Sequence, residues 1–317
     1  MTKIGVQFCT RHHPRLFLRQ TPHGDGVWQR LRFLIEPQHS QADWLVVFDE
    51  PGQPVLTQVP REKRILFVTE PPGYSSYHSK YVQQFGIAIS PMPLDGFTGT
   101  WIQRHGSLPW HFGVDWETAG WEVTSKPFLE LETAQYADKP FELSVICSDH
   151  MALADHRRRL GFVCTLKVLL GDRLHWYGRG VRKLRDKAEA IAPYRYHMVL
   201  ENNLLEHFWT EKIADSYLGL AFPFYAGCSN LQEYFDHNAF ERIEIDDPMG
   251  ASNVIQRAIA DKFYERRSAY LQEARRRVLF DYNIFNETQN VIARVQSALA
   301  ATPYLSRAEE IYPTKAA

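Results

Sequence analysis

The sequence lacks the features that set a chain apart from ordinary globular proteins. It has four cysteines in 317 residues, Cys9, Cys147, Cys164 and Cys228, and no C-x-x-C pair. The expected reading is a reduced compartment with buried thiols, and a chain of this length needs no disulfide to fold. No apolar run approaches the ~20 residues of a membrane span. The opening stretch MTKIGVQFCTRHHPR turns polar too soon for a signal peptide. The expectation is a cytoplasmic protein, with peripheral membrane contact left open. An excess of one charge is also missing. Lys and Arg total 36 against 37 Asp and Glu, a net charge of −1, which argues against a nucleic-acid partner. The signatures G-x-G-x-x-G, G-x-x-x-x-G-K-[ST] and H-E-x-x-H are absent, so neither the usual dinucleotide site nor a P-loop is expected. His12 and His13 are adjacent, a spacing at which two side chains rarely ligate one ion.

What is present is a strand–helix rhythm. At roughly 150 residues per domain the length suits two domains. Lys3–Cys9, Trp44–Phe48, Ile65–Val68 and Gly86–Ser90 are short runs rich in β-branched and aromatic residues. They lack strict alternation, as strands buried on both faces of a parallel sheet do. Val27–Ile35 reads as a helix between the first two. The second half repeats the rhythm, with strands at Leu143–Cys147, His175–Tyr177, His197–Leu200, Phe222–Tyr225 and Arg242–Ile245. Helices are expected from about Asp155, then at Arg182–Ala190, Thr210–Leu218, Ala251–Ala274 and Glu287–Leu299. A polar stretch from Asp115 to Pro140 connects the halves. The expected class is α/β, with domains at 1–125 and 140–300 and ligands at the carboxyl edges of the sheets.

Two helix starts carry the wrong charge. Asp155 reads as an N-cap, which puts Arg157, Arg158 and Arg159 in a first turn where the helix dipole is already positive. Thr210 caps a second helix, with Lys212 in its first turn. An anion docked at each start would reverse the cost, and phosphate is the usual candidate. The alternatives are arginine stems splayed into water and a Lys212 neutralised by its neighbour Glu211.

The residues around these starts form a composite pattern. Tyr194-Arg-Tyr-His-Met-Val-Leu-Glu-Asn202, Thr210-Glu-Lys-Ile213 and Phe222-Pro-Phe-Tyr-Ala-Gly227 together resemble the signature of the family 10 glycosyltransferases, the α1,3/α1,4-fucosyltransferases. That signature reads approximately Y-K-F-x-L-x-F-E-N-S, T-E-K-I and P-x-Y/V-x-G. The spacing from the Glu-Asn pair to the Glu-Lys pair matches the bacterial members without a gap. Arg159-Leu-Gly-Phe-Val-Cys-Thr-Leu166 is similar to the family's R-x-x-[FY]-x-x-x-L helix, which singles out Arg159. Lys63-Arg-Ile-Leu-Phe-Val-Thr-Glu70 is similar to the strand that delivers its catalytic glutamate. Three departures stand out: Asn203 in place of the motif serine, Phe208 in place of an aromatic hydroxyl, and Pro71-Pro72 directly after Glu70.

The resemblance implies a GT-B fold: an N-terminal acceptor-binding and a C-terminal donor-binding Rossmann-like domain facing a central cleft. It implies an inverting, metal-independent transfer of a sugar to a glycan hydroxyl, with GDP-fucose as donor and no cofactor. The sequence also lacks the D-x-D triplet that holds a divalent ion in many sugar transferases. Glu70 would be the general base. Arg159 and Lys212 would hold the diphosphate, and Glu211 the ribose hydroxyls. Asn202 and Glu201 would lie near the phosphate or sugar, although Glu201 suits a strand-end structural role equally well. Gly227 would allow close backbone approach to the donor. The competing readings are another nucleotide-deoxysugar donor and a non-catalytic binder of nucleotide or glycan.

Overall fold

The computed structural model describes residues 3–35, 42–70, 77–118, 120, 124–151, 154–299 and 309–311. The chain forms two compact units. The first takes Met1–Pro109, Pro127–Leu129 and Asp281–Ala317; the second takes Trp110–Lys126 and Glu130–Phe280.

The first unit is built on β1 (Ile4–Thr10), β2 (Val27–Trp28), β3 (Leu31–Leu34), β4 (Trp44–Phe48), β5 (Val55–Thr57), β6 (Arg64–Phe67), β7 (Ile87–Ser90) and β8 (Thr100–Gln103). Seven of these form one sheet in the order β2-β3-β1-β4-β6-β7-β8. All neighbours are parallel except the β2–β3 pair. Every residue of β4, β6 and β7 is buried, which is why these strands read as unbroken apolar runs. β5 stands apart and pairs antiparallel with Glu309–Ile311.

Val27–Ile35 is not the expected helix but the hairpin β2–β3. Val27, Leu31 and Leu34 imitate a helical period. However, Gly26 and Gln29 adopt φ of +73° and +49°, and burial alternates through Leu31, Arg32 and Phe33. Both features belong to a turn and a strand. The Ile284–Leu299 helix, expected in the second domain, belongs to the first unit. Its Phe285 ring lies 4.5 Å from that of Phe33 and 6.3 Å from that of Phe8. Asn283 Nδ2 donates to the Gln20 carbonyl at 2.7 Å. Aromatic burial therefore decides where this late helix packs.

The second unit has β9 (Phe141–Ile146), β10 (Leu174–Tyr177), β11 (Tyr194–Leu200), β12 (Phe222–Ala226) and β13 (Glu241–Arg242), in the order β10-β9-β11-β12-β13 and parallel throughout. The expected Arg182–Ala190 helix is reduced to Ala188–Ile191. Before it, Gly178 N donates to Arg182 O at 2.9 Å and closes a tight turn. Gly180 sits in that turn at φ +79°, where a Cβ would lie 1.9 Å from the Asp149 carboxylate, so only glycine fits. The expected Ala251–Ala274 helix is three shorter ones, Pro248–Ala260, Phe263–Arg266 and Ser268–Arg276, with Lys262 at φ +53° breaking the first from the second.

Buried Lys139 ties two helix ends together. Its ammonium donates to Ala192 O at 2.6 Å and Gly219 O at 2.8 Å. These carbonyls cap the Ala188–Ile191 and Glu211–Leu218 helices, so one lysine nitrogen satisfies the ends of both, while burial pushes its pKa down to about 7. Among the described residues no helix is long and apolar enough to cross a membrane.

Phe285 is fully buried. Phe285→Ala is expected to destabilise the protein by about 3–5 kcal/mol, the cost of a large aromatic cavity. Chemical denaturation measures it, and a loss below about 1 kcal/mol would mean that the helix is not anchored there.

Candidate active site

The carboxyl edge of the second sheet gathers the charged residues. Thr210 is the N-cap of the Glu211–Leu218 helix, and its Oγ1 accepts from the Lys212 backbone N–H at 3.3 Å. Glu201 follows β11 and has a fully buried side chain. Its carboxylate accepts from Thr210 N at 2.9 Å, Thr210 Oγ1 at 2.7 Å and Lys212 Nζ at 3.2 Å. Glu201 thus has the strand-end role: it fixes the helix start and holds Lys212. Gly227 is pressed against it, since a Cβ there would lie 2.5 Å from Glu201 Cγ. The close approach that Gly227 allows is to Glu201.

Glu211 and Asp215 stand one turn apart on the same helix, and Lys187 joins them. Lys187 Nζ lies 2.8 Å from Asp215 Oδ2 and 3.3 Å from Glu211 Oε1. Asp215 Oδ1 also accepts from the backbone N–H groups of His111 and Phe112, both at 2.9 Å. Burial disfavours the Glu211 carboxylate, but Lys212 and Lys187 outweigh it and hold the group far below the usual carboxylate range. Burial likewise opposes the Lys212 ammonium, and Glu201 and Glu211 outweigh it and raise its pKa. Glu211 is therefore ionised, and Lys212 and Lys187 are protonated, near neutral pH.

The Ala154–Leu170 helix starts at Ala154, so Asp155 is in its first turn and is not the cap. Its arginines separate by partner. Exposed Arg157 donates to Met151 O at 2.8 Å. Exposed Arg158 forms a bidentate pair with Asp246. Half-buried Arg159 reaches Leu200 O at 3.4 Å, and its Nε is buried without a partner among the described residues. Arg159 lines a pocket of about 260 Å³ together with Arg179, Lys187, His197, Glu211 and Lys212. It also lines an adjoining pocket of about 170 Å³, where Glu201 and Asn202 lie.

His197 belongs to the floor of the larger pocket. It is 4% exposed, and its Nδ1 lies 2.8 Å from Ser144 Oγ across the β9–β11 register. Burial, with help from Lys187 and Lys139, pushes its pKa down to about 3. It is neutral in the folded protein.

Glu70 lies in the first unit, directly after a tightly held strand end. Thr69 donates to Asp49 from its backbone N–H at 2.8 Å and from its hydroxyl at 2.5 Å. Tyr77 donates to the same carboxylate at 2.6 Å. Glu70 is half-buried. Burial chiefly, with the charges of Asp49 and Glu70, pushes the Tyr77 phenol well up. Pro71 and Pro72 lie outside the described residues. Among the described residues no three His, Cys, Asp or Glu side chains form a metal-ligating group.

The second unit thus brings together Arg159, Glu201, Glu211 and Lys212, with Asn202 in the adjoining pocket; Glu70 stands in the first unit. Sequence reasoning missed Lys187, Asp215, His197 and Asp49. One signal was legible. Glu211 and Asp215 are like charges at i and i+4, a repulsive pair that calls for a cation between them.

No family model and no curated protein matches the chain. Among solved structures, the fold is shared with sugar transferases. A crystal structure of an α1,3-fucosyltransferase with GDP matches at a TM-score of 0.51 and 15% identity, over 95% of this chain and 92% of that one. An α1,3-fucosyltransferase with GDP-fucose matches at 0.49 and 14%, over 96% and 93%. A glycosyltransferase from Rickettsia africae matches at 0.45 and 8%, over 95% and 100%. The α/β class expected from the strand–helix rhythm, with parallel sheets in both halves, is the one observed.

His197 gives the site a pH signature. Its folded pKa of about 3 lies below the ordinary 6.5, so the unfolded chain binds the proton more readily. Its contribution to stability is complete above about pH 6.5 and is lost as pH falls toward 3. Denaturation curves of wild type and His197→Leu over that range should converge as pH falls. Parallel curves would mean that His197 takes up its proton without cost.

Proposed function

We propose that this protein is a glycosyltransferase that moves a sugar from a nucleoside diphosphate to a glycan hydroxyl, with GDP-fucose as the favoured donor. The observation that carries this reading is the convergence of Arg159, Lys187, Lys212 and Glu211 on one pocket at the carboxyl edge of the second sheet. Ligands of open α/β sheets bind at that edge. The fold shared with an α1,3-fucosyltransferase whose crystal structure contains GDP supports the choice of nucleotide.

The chemistry follows from charge. Breaking the bond between the sugar and the diphosphate leaves negative charge on phosphate oxygens. Fixed cations beside those oxygens stabilise the transition state more than the ground state. Arg159 supplies a planar fork, and Lys212 stands in the first turn of a helix whose N-terminal N–H groups attract anions. Lys212 is held by Glu201, so it is already in place when phosphate arrives. Glu211, kept ionised by two lysines, is an acceptor for ribose hydroxyls. Two positive side chains here do the work of a divalent ion.

Glu70 is the proposed base. It takes the proton of the acceptor hydroxyl as that oxygen attacks the anomeric carbon. The carbon–oxygen bond to the diphosphate breaks on the opposite face, which inverts the configuration. Thr69 and Asp49 hold the backbone from which Glu70 projects, and such fixed placement is what general-base catalysis requires.

GDP is expected to raise the melting temperature in the presence of EDTA; a shift that requires added Mn²⁺ or Mg²⁺ would refute metal-free binding. Lys212→Ala and Arg159→Ala should each weaken GDP binding by about 1.5–3 kcal/mol, the worth of a hydrogen bond to a charged group. Arg157→Ala should do little, because its guanidinium is spent on Met151. Equal losses from both arginine variants by calorimetry would mean a diffuse basic patch. Glu70→Gln should abolish transfer while GDP affinity stays near the wild-type value. Retained transfer would make Glu70 structural.

A further inference from the structure

The hydrogen bonds under the pocket floor fix which ring nitrogen of His197 carries its proton. Ser144 Oγ lies 2.5 Å from Ala190 O. A carbonyl can only accept, so the single hydroxyl proton goes there. Toward His197 the Ser144 oxygen can then only accept, and Nδ1, at 2.8 Å, must be the donor. The ring is neutral, so Nε2 bears a lone pair and no proton. Among the described residues Nε2 has no hydrogen-bond partner, although His197 is 4% exposed and lines the pocket. The floor therefore presents an acceptor that cannot turn into a donor.

We infer that His197 is the residue that reads the nucleotide base: its Nε2 selects a base whose inward edge carries N–H donors, which among the common bases is best met by guanine. This rests on the reading of the pocket as the donor-nucleotide site. Glu211 and Asp215 add carboxylate oxygens to the same pocket, each held by Lys187. Lys187 can satisfy one carbonyl, so the base edge that is repelled is one that sets a second carbonyl or a bare ring nitrogen against these acceptors. Uracil and thymine flank their one N–H with two carbonyls, and adenine sets a bare nitrogen beside its amine. Guanine offers two adjacent donors, N1–H and the 2-amino group. Its O6, next to N1, suits Lys187, which has given two of its three protons to Asp215 and Glu211. Arg159, Arg179 and Lys212 line the same pocket and offer the diphosphate its cations, which leaves the buried His197 to the base. A site built to hydrogen-bond a ligand N–H discriminates strongly against an analogue that lacks it, because its own buried group is left unpaired.

The test is calorimetric titration of the full chain with GDP, inosine diphosphate, N1-methyl-GDP and ADP. The wild-type protein should bind GDP about three- to tenfold more tightly than N1-methyl-GDP, the worth of one hydrogen bond, and more tightly than ADP. His197→Leu should lose that preference, with GDP falling to the level of the methylated analogue. Ser144→Ala removes only a hydroxyl and releases the tautomer, so it should shrink the preference as well. The wild-type series needs no variant to fold. Equal binding of GDP and N1-methyl-GDP by the wild type overturns the inference and leaves the transferase reading standing. An undiminished preference in both variants does the same. Failure of the wild type to bind any of the four nucleotides overturns both readings.

Discussion

The structure of the second unit depends on one arrangement of buried charge. Glu201, Lys212, Glu211, Lys187 and Asp215 alternate in sign along a chain of ion pairs, with contacts of 3.2, 3.7, 3.3 and 2.8 Å. Removing Lys212 would leave Glu201, and removing Lys187 would leave Asp215, without its ion-pair partner, the costly outcome for groups withdrawn from water. The cluster therefore fixes three pieces of backbone relative to one another: the end of β11, the start of the Glu211–Leu218 helix and the start of the Ala188–Ile191 helix. A pocket whose walls are set by such a cluster is preorganised, and electrostatic catalysis gains most from charges that need not move.

The same two helices are held at their other ends. Lys139 takes the carbonyls at both C-termini, so each helix is held by ion pairs at its start and by a lysine's hydrogen bonds at its finish. Asp215 extends the clamp to the segment that enters the unit, through the amides of His111 and Phe112. The helix dipoles thus point their positive ends at the pocket, where an anionic ligand is proposed, and their negative ends at a lysine. Each polar contact serves packing and placement together.

Much of this was legible in the sequence where the information is local. β4, β6, β7 and β12 are short and buried on both faces, so their apolar runs identify them directly. The Thr210-Glu-Lys start is legible because a cap and its first turn lie within three residues. Val27–Ile35 failed because a two-strand hairpin with apolar residues at positions 27, 31 and 34 has the period of a helix; the positive φ at Gln29 has no sequence signal of its own. Lys187 was missed because its partners are 24 and 28 residues away and no motif encodes the pairing. His197 looked like one more strand residue. Its importance comes from Ser144 on the neighbouring strand and a carbonyl from a third element, which only the fold brings together. Glu201 was open in the sequence between ligand and scaffold, and its three contacts within the protein favour scaffold.

The account's central claim is that the pocket between Arg159 and Lys212 receives a nucleoside diphosphate. A crystal structure of the protein with GDP, grown without divalent metal, tests it most directly. The account predicts diphosphate density at the N-terminus of the Glu211–Leu218 helix, with oxygens within hydrogen-bond reach of Arg159 and Lys212. Diphosphate density in the pocket of the first unit lined by Thr10, Pro51 and Gly52 would contradict it.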